Sequence, residues 1–197
     1  MNADASTLSE AIVKTKVVDR ADAPTLRETI VKTVVVHTVT YFLVGVLAFL
    51  TLDYTARFSD PGAAAYNRPT SDPLVMAGPL FQPIRGFLFG IVFYLLRDNF
   101  FRRSRGWLVL WATLVVIGII GQFTGGLGSI EGLVYSKIPA LFQLLLLPEV
   151  IIQTFLLSAL LFYWINHPKK WLGWVLGVVF FLILFFAGLG LLVLPPA

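Results

Sequence analysis

The chain has 197 residues, of which 57% are hydrophobic and only 13% are charged, and its formal net charge is +4. A soluble domain carries about 25% charged residues, so this composition excludes an ordinary water-soluble globule. The apolar runs are continuous rather than alternating, which favours membrane helices over a β-barrel. We therefore expect an all-α fold, an integral membrane helical bundle of about five transmembrane helices.

The chain contains no cysteine, which removes thiol catalysis and cysteine-ligated metals. Its two histidines, His37 and His167, form no His-Glu-x-x-His motif and are interpreted as interfacial residues. We predict no metal, no cofactor and no catalytic residue, so enzymatic activity is uncertain and not favoured. The basic balance is typical of cytoplasmic membrane loops, and a nucleic-acid partner is not expected.

Residues 1–33 form a polar N-terminal segment that contains an internal repeat with an offset of 18 residues. Residues 7–18 match residues 25–36 at nine of twelve positions, and each copy opens with Thr-x-x-Glu. This pattern is a capping box, which marks the start of a helix. It predicts a short helix over about 8–18, a break over 19–24, and a second helix that starts near Leu26 and continues into the membrane.

The transmembrane domain is predicted over 34–194. Its spans are expected at about 34–53, 77–96, 107–123, 139–166 and 172–193. The fourth apolar stretch is long and contains Pro148, which leaves two alternatives. Either one kinked helix crosses the membrane, or 139–147 is re-entrant and the span is 148–166. A single kinked helix is favoured, because membrane helices commonly tolerate one proline.

Lysine and arginine predict the orientation. Eleven of them fall in the N-terminal segment and in the connections on its side, and three fall in the connections on the other side. The positive-inside rule then places the N-terminus in the cytoplasm and the C-terminus outside. We expect the protein in a plasma membrane, and the compact loops and absent cysteines suggest a bacterial inner membrane.

Two charged residues fall within predicted spans, Arg85 and Glu149. Intramembrane charges are costly and are functional candidates by default. Prolines stand beside both, and broken helices can expose backbone groups to ions or substrates. We expect Arg85 and Glu149 to face the bundle interior at similar depth and to pair, with Gln82 and Gln153 as possible partners. The functional interpretation is an ion, proton or substrate site in an outward-facing cavity, and the alternative is a structural salt bridge or snorkelling to the interface.

Two weaker patterns concern glycine. A glycine-rich loop precedes Glu131, with Ser129 as the predicted N-cap, and such a loop can bind an anion. No Gly-Lys-Ser/Thr follows, so the loop is not a P-loop, and Glu131 is otherwise an ordinary first-turn residue. Gly86-x-x-x-Gly90 and Gly173-x-x-x-Gly177 permit close helix contact, within the bundle or with a partner.

These features leave three hypotheses about function. The first is a non-enzymatic subunit or accessory factor of a membrane complex. The second is a small oligomeric transporter or channel that uses Arg85 and Glu149. The third is an intramembrane enzyme acting on lipid through Glu131 or Glu149, and it is the least supported because a lone carboxylate specifies no reaction. The expected partners are the lipid bilayer and other membrane subunits or a second copy of the chain.

Overall fold

The computed structural model describes residues 23–54, 64 and 67–193. The short helix predicted over 8–18, and with it the first copy of the repeat, lies outside these residues. Within them every regular element is helical, which confirms the all-α bundle. The helices are α1 (Leu26–Leu52), α2 (Pro73–Met76), α3 (Gly78–Leu95), α4 (Arg97–Phe100), α5 (Gly106–Val115, continued by a π-helical turn Val116–Ile120), α6 (Ile130–Tyr135), α7 (Ala140–Asn166) and α8 (Lys170–Val193).

Helix α1 begins at the second copy of the repeat. The Oγ1 atom of Thr25 accepts a hydrogen bond from the Glu28 amide at 3.2 Å, which is the predicted N-cap. In a full capping box the Glu28 side chain would also accept from the Thr25 amide. The Glu28 carboxylate instead accepts from Lys32 Nζ at 2.6 Å. The helix then runs without interruption to Leu52 and ends where Asp53 adopts a left-handed conformation with φ of 45°.

Four helices, α1, α3, α7 and α8, are long and apolar enough to cross a membrane. The apolar helix Gly106–Ile120 is shorter. At 1.5 Å per residue it reaches about 22 Å, against a hydrocarbon core of about 30 Å. The third predicted span, 107–123, is therefore truncated by three residues at its C-terminal end, where the π-helical turn closes the helix. Four long helices and one shorter helix fit the expected bundle of about five.

Helix α7 is a single element from Ala140 to Asn166 with Pro148 inside it. The re-entrant alternative for 139–147 is thus not what the structure shows. Helix α7 runs antiparallel to α5, because Trp111 Nε1 donates to the Ile151 carbonyl at 3.3 Å, whereas Trp107, earlier in α5, contacts Phe155, later in α7. It also runs antiparallel to α1, since Lys32 Nζ near the start of α1 donates to the Trp164 carbonyl near the end of α7 at 3.0 Å.

Helix α1 is the central element and packs against α3, α7 and α8, whereas α5 packs mainly against α7. We call the end with Lys32 and the start of α5 the Lys32 end, and the opposite end the Tyr54 end. The buried apolar core lies towards the Lys32 end. Its members include Val36, Phe93, Phe100, Leu110, Leu157, Leu161 and Trp164. Within the described residues the bundle is therefore closely packed at the Lys32 end, and the cavities described below lie towards the Tyr54 end.

Candidate ligand-binding site at Glu149

Three cavities lined by described residues adjoin Glu149. The main cavity has a volume of about 550 Å³, a second has about 230 Å³ and a third about 180 Å³, and Glu149 lines all three. Prediction from the sequence singled out Glu149 because a carboxylate within an apolar span is costly. The structure shows what surrounds it, a branched space between α1, α3, α5 and α7.

The main cavity is lined mostly by apolar and aromatic side chains. Helix α1 supplies one wall, and the segment around Asn67 and Arg68 and the region of α2 and α3 supply the others. Gly45 faces Glu149, and a Cβ atom at this glycine would stand 3.9 Å from Glu149 Oε1. Four aromatic rings border the cavity: Tyr41, Phe42, Phe49 and Tyr54.

Glu149 is half-buried, and its carboxylate accepts a hydrogen bond from the Tyr54 hydroxyl. Tyr54 directly follows the end of α1, so this bond ties the Tyr54 end of α1 to α7. No lysine, arginine or histidine among the described residues forms an ion pair with Glu149 within 4.0 Å. Its negative charge is therefore not neutralised by a salt bridge within the described part of the chain.

Arg85 lines the smallest cavity together with Glu149 and Gln153. The structure thus brings both predicted charges to one cavity, although they form no salt bridge. The Arg85 side chain is exposed, and its guanidinium carbon lies 5.4 Å from the centre of the Phe89 ring. The expected direct pairing with Glu149 is replaced by this cation–π contact.

Gln82 and Gln153 bind neither Arg85 nor Glu149, but bracket His37. The Gln82 side-chain oxygen lies 3.2 Å from His37 Nε2, and the Gln153 amide nitrogen lies 3.3 Å from His37 Nδ1. With the amides placed in this way, Nε2 donates to Gln82 and Nδ1 accepts from Gln153, which fits a neutral imidazole. His37 therefore joins three helices, α1, α3 and α7.

The interpretation of His37 as an interfacial residue is wrong, because only 1% of it is exposed. The predicted span began at residue 34, which placed His37 near the membrane surface. The packing of α1 against α3 and α7 encloses the imidazole, and this packing was not visible in the sequence. A usable signal was present in the sequence, since His37 lies in an otherwise Val- and Thr-rich stretch without a nearby charge on its C-terminal side.

Glu131 lies apart from this site. It is exposed on the short helix α6 and lines none of the three cavities. Ser129 is the N-cap as predicted, since its Oγ atom accepts from the Gly132 amide at 2.9 Å. The glycine-rich loop is held by Gln143, whose oxygen accepts from the Gly128 amide at 3.2 Å and whose nitrogen donates to the Ile138 carbonyl at 2.9 Å. The amides of Gly128 and Gly132 are thus bound within the protein.

Among the residues that the structure describes, no three histidine, aspartate or glutamate side chains are grouped so as to hold a metal ion. No family model, curated protein or solved structure matches this chain. The arrangement around Glu149 is therefore interpreted from its own chemistry: a partly buried carboxylate, four aromatic rings and a branched cavity inside a small membrane bundle.

Proposed function

We propose that this small membrane protein is a non-enzymatic transporter that binds a small molecule in the main cavity, with Glu149 as the central binding group. The observation that carries the proposal is that one intramembrane carboxylate borders three adjoining cavities. Small-molecule sites have volumes of about 300–1,000 Å³, with mostly apolar walls and a few placed polar groups. The main cavity, of about 550 Å³, has these properties.

The proposed direction of uptake combines the cavities with the charge pattern. The positive-inside rule places the Lys32 end in the cytoplasm and the Tyr54 end outside. The cavities then adjoin the outer half of a plasma membrane, as in a bacterial inner membrane, and the apolar core separates them from the cytoplasm. A transporter in this conformation would accept its substrate from the outer side.

A thermal-shift screen of the purified protein in neutral detergent tests this proposal. The screen uses cationic, anionic, zwitterionic and neutral small molecules at matched concentrations. We expect at least one class to raise the Tm of the wild type, with the shift lost in Glu149→Gln and kept in Glu131→Gln, because Glu131 lines none of the three cavities. If no compound raises the Tm of the wild type by more than it raises the Tm of Glu149→Gln, the proposed function is wrong.

A second candidate function is a subunit of a larger membrane complex, and α8 favours it. Aromatic side chains on α8 are exposed, including Trp174, Phe181, Phe185 and Phe186. A Cβ atom at Gly177, Gly188 or Gly190 would meet nothing within 4 Å. Such a surface can accept another helix as readily as lipid. Purification of the tagged protein from its own host in mild detergent, with native mass measurement, tests this candidate, and a stoichiometric partner is the expected result.

A further inference from the structure

We infer that the ligand of the main cavity is an organic cation with apolar substituents, such as a quaternary ammonium or phosphonium compound. This inference rests on the proposed function, because it assigns a ligand class to the same site. It follows from the charge of Glu149, from the aromatic walls, and from the state of the arginines nearby.

The charge of Glu149 is the first reason to expect a cationic ligand. Burying a carboxylate is costly unless a positive group or hydrogen-bond donors compensate it. The Tyr54 hydroxyl supplies one hydrogen bond to Glu149. A carboxylate accepts about four hydrogen bonds, and no described basic side chain lies within 4.0 Å of it. A cationic ligand in the main cavity would supply the missing positive charge.

The aromatic walls of the main cavity are the second reason. The faces of aromatic rings attract cations, and a desolvated contact contributes about 2 kcal/mol or more. Tyr41, Phe42, Phe49 and Tyr54 all border the main cavity with Glu149. Met76 and Val75 add further apolar surface. These walls suit a cation whose charge is surrounded by hydrocarbon, because its substituents bury apolar area while its charge stays near the carboxylate.

Arg68 is the other charged residue among the described lining of the main cavity. Arg68 Nη1 donates to Asp72 Oδ2 at 2.9 Å. The hydrogen bond from Arg68 lowers the pKa of Asp72, so this carboxylate is ionised at neutral pH and the pair has no net charge. Glu149 therefore sets the sign of the charge in the main cavity.

Arg85 lines the smallest of the three cavities together with Glu149. It is absent from the described lining of the main cavity. The positive charge of Arg85 repels a cation bound at Glu149 but attracts an anion. Replacing Arg85 by glutamine should therefore change affinity in opposite directions for the two kinds of ligand. This difference in sign separates a cation site from an anion site.

Equilibrium binding of tetraphenylphosphonium to the purified full-length protein in neutral detergent tests the inference. Tetraphenylborate is the matched control, because it has the same shape and the opposite charge. We expect saturable binding of tetraphenylphosphonium, about tenfold weaker binding in Glu149→Gln, and equal or tighter binding in Arg85→Gln. Glu149→Asp should retain most of the affinity, and Glu131→Gln should match the wild type.

The comparison of the two ions on the wild type needs no variant, so it remains decisive if Glu149→Gln does not fold. Preferential binding of tetraphenylborate, or equal binding of tetraphenylphosphonium by wild type and folded Glu149→Gln, would overturn the cation assignment. If an anionic or neutral compound gives a Glu149-dependent thermal shift while tetraphenylphosphonium does not bind, the proposed function stands and this inference fails. If no compound class gives such a shift, both fail.

Discussion

At the scale of single residues, His37 connects the cavity region to the packed core. Its two ring nitrogens bind Gln82 on α3 and Gln153 on α7, and Gln153 also lines the smallest cavity beside Glu149. The Phe89 ring packs edge-on against the imidazole at 5.1 Å. The two hydrogen bonds of His37 fix the relative position of three helices at the level where the core ends and the cavities begin.

Replacing His37 by phenylalanine should destabilise the bundle. Polar contacts between membrane helices contribute about 0.6 to 2 kcal/mol each, and the substitution removes two of them. We expect the free energy of unfolding to fall by about 1 to 3 kcal/mol, measured by detergent-induced unfolding followed by tryptophan fluorescence. Thr113→Val is the control, because Thr113 bonds only to its own helix. Equal stability of His37→Phe and the wild type would show that these contacts contribute nothing.

Intramembrane charge predicts Glu149 and Arg85 as site residues, which stays a prediction, but it could not supply their partners. The sequence shows that a carboxylate and a guanidinium lie in two spans at similar depth. It does not show the packing of α1 against α7, which brings Tyr54 to Glu149. That contact depends on residues distant in the chain, whereas the contact of Arg85 with Phe89, four residues later on α3, is local to one helix.

At the scale of helices, α1 and α3 approach each other closely at two glycines of α3. A Cβ atom added at Gly86 would stand 2.8 Å from Val34 Cα, and one at Gly90 would stand 2.7 Å from Ile30 Cα. The prediction that Gly86-x-x-x-Gly90 permits close helix contact is confirmed. The second pattern differs, since Gly173 lies against Trp164 and a Cβ at Gly177 would meet nothing within 4 Å.

Alanine at Gly86 or Gly90 should therefore force α1 and α3 apart. Overpacking of this kind costs about 1 to 3 kcal/mol, and we expect each variant to lose that much stability in the same unfolding assay. Gly177→Ala is the matched control on a free helix surface. It should be neutral, or more stable by up to about 1 kcal/mol, because alanine favours helix more than glycine does. Stable Gly86→Ala and Gly90→Ala variants would contradict the close contact.

At the scale of the whole molecule, the asymmetry between a packed Lys32 end and a cavity-containing Tyr54 end can be measured directly. The natural chain has no cysteine, so a single introduced thiol reports its own accessibility. Val46 lines the main cavity, Phe181 is exposed on α8, and Leu161 is fully buried in the core.

Single-cysteine variants of these positions should react differently with a membrane-impermeant maleimide. In sealed cells we expect Val46→Cys to be labelled from outside, because Val46 lines the main cavity and the proposed orientation places that cavity on the outer side. Phe181→Cys and Leu161→Cys should remain unlabelled, the first because it faces lipid and the second because it is buried. Arg103 is exposed in the connection between α4 and α5 at the Lys32 end, so Arg103→Cys should react only after the cells are opened. Labelling of Arg103→Cys in sealed cells would reverse the orientation.

The sequence by itself determined the class of protein and most of its helices. Local composition decides the class of protein, because long apolar runs require a membrane. Local residues also decide the helices, because the cap at Thr25 and the proline at 148 act on their own helices. Only the tertiary structure decided that His37 is a buried link between three helices, that Gln143 holds the glycine-rich loop, and that Glu149 borders a branched, aromatic-lined cavity. The physical reason is that apolar residues surround most of each membrane helix, so the apolar pattern by itself does not encode which face of the helix packs inward.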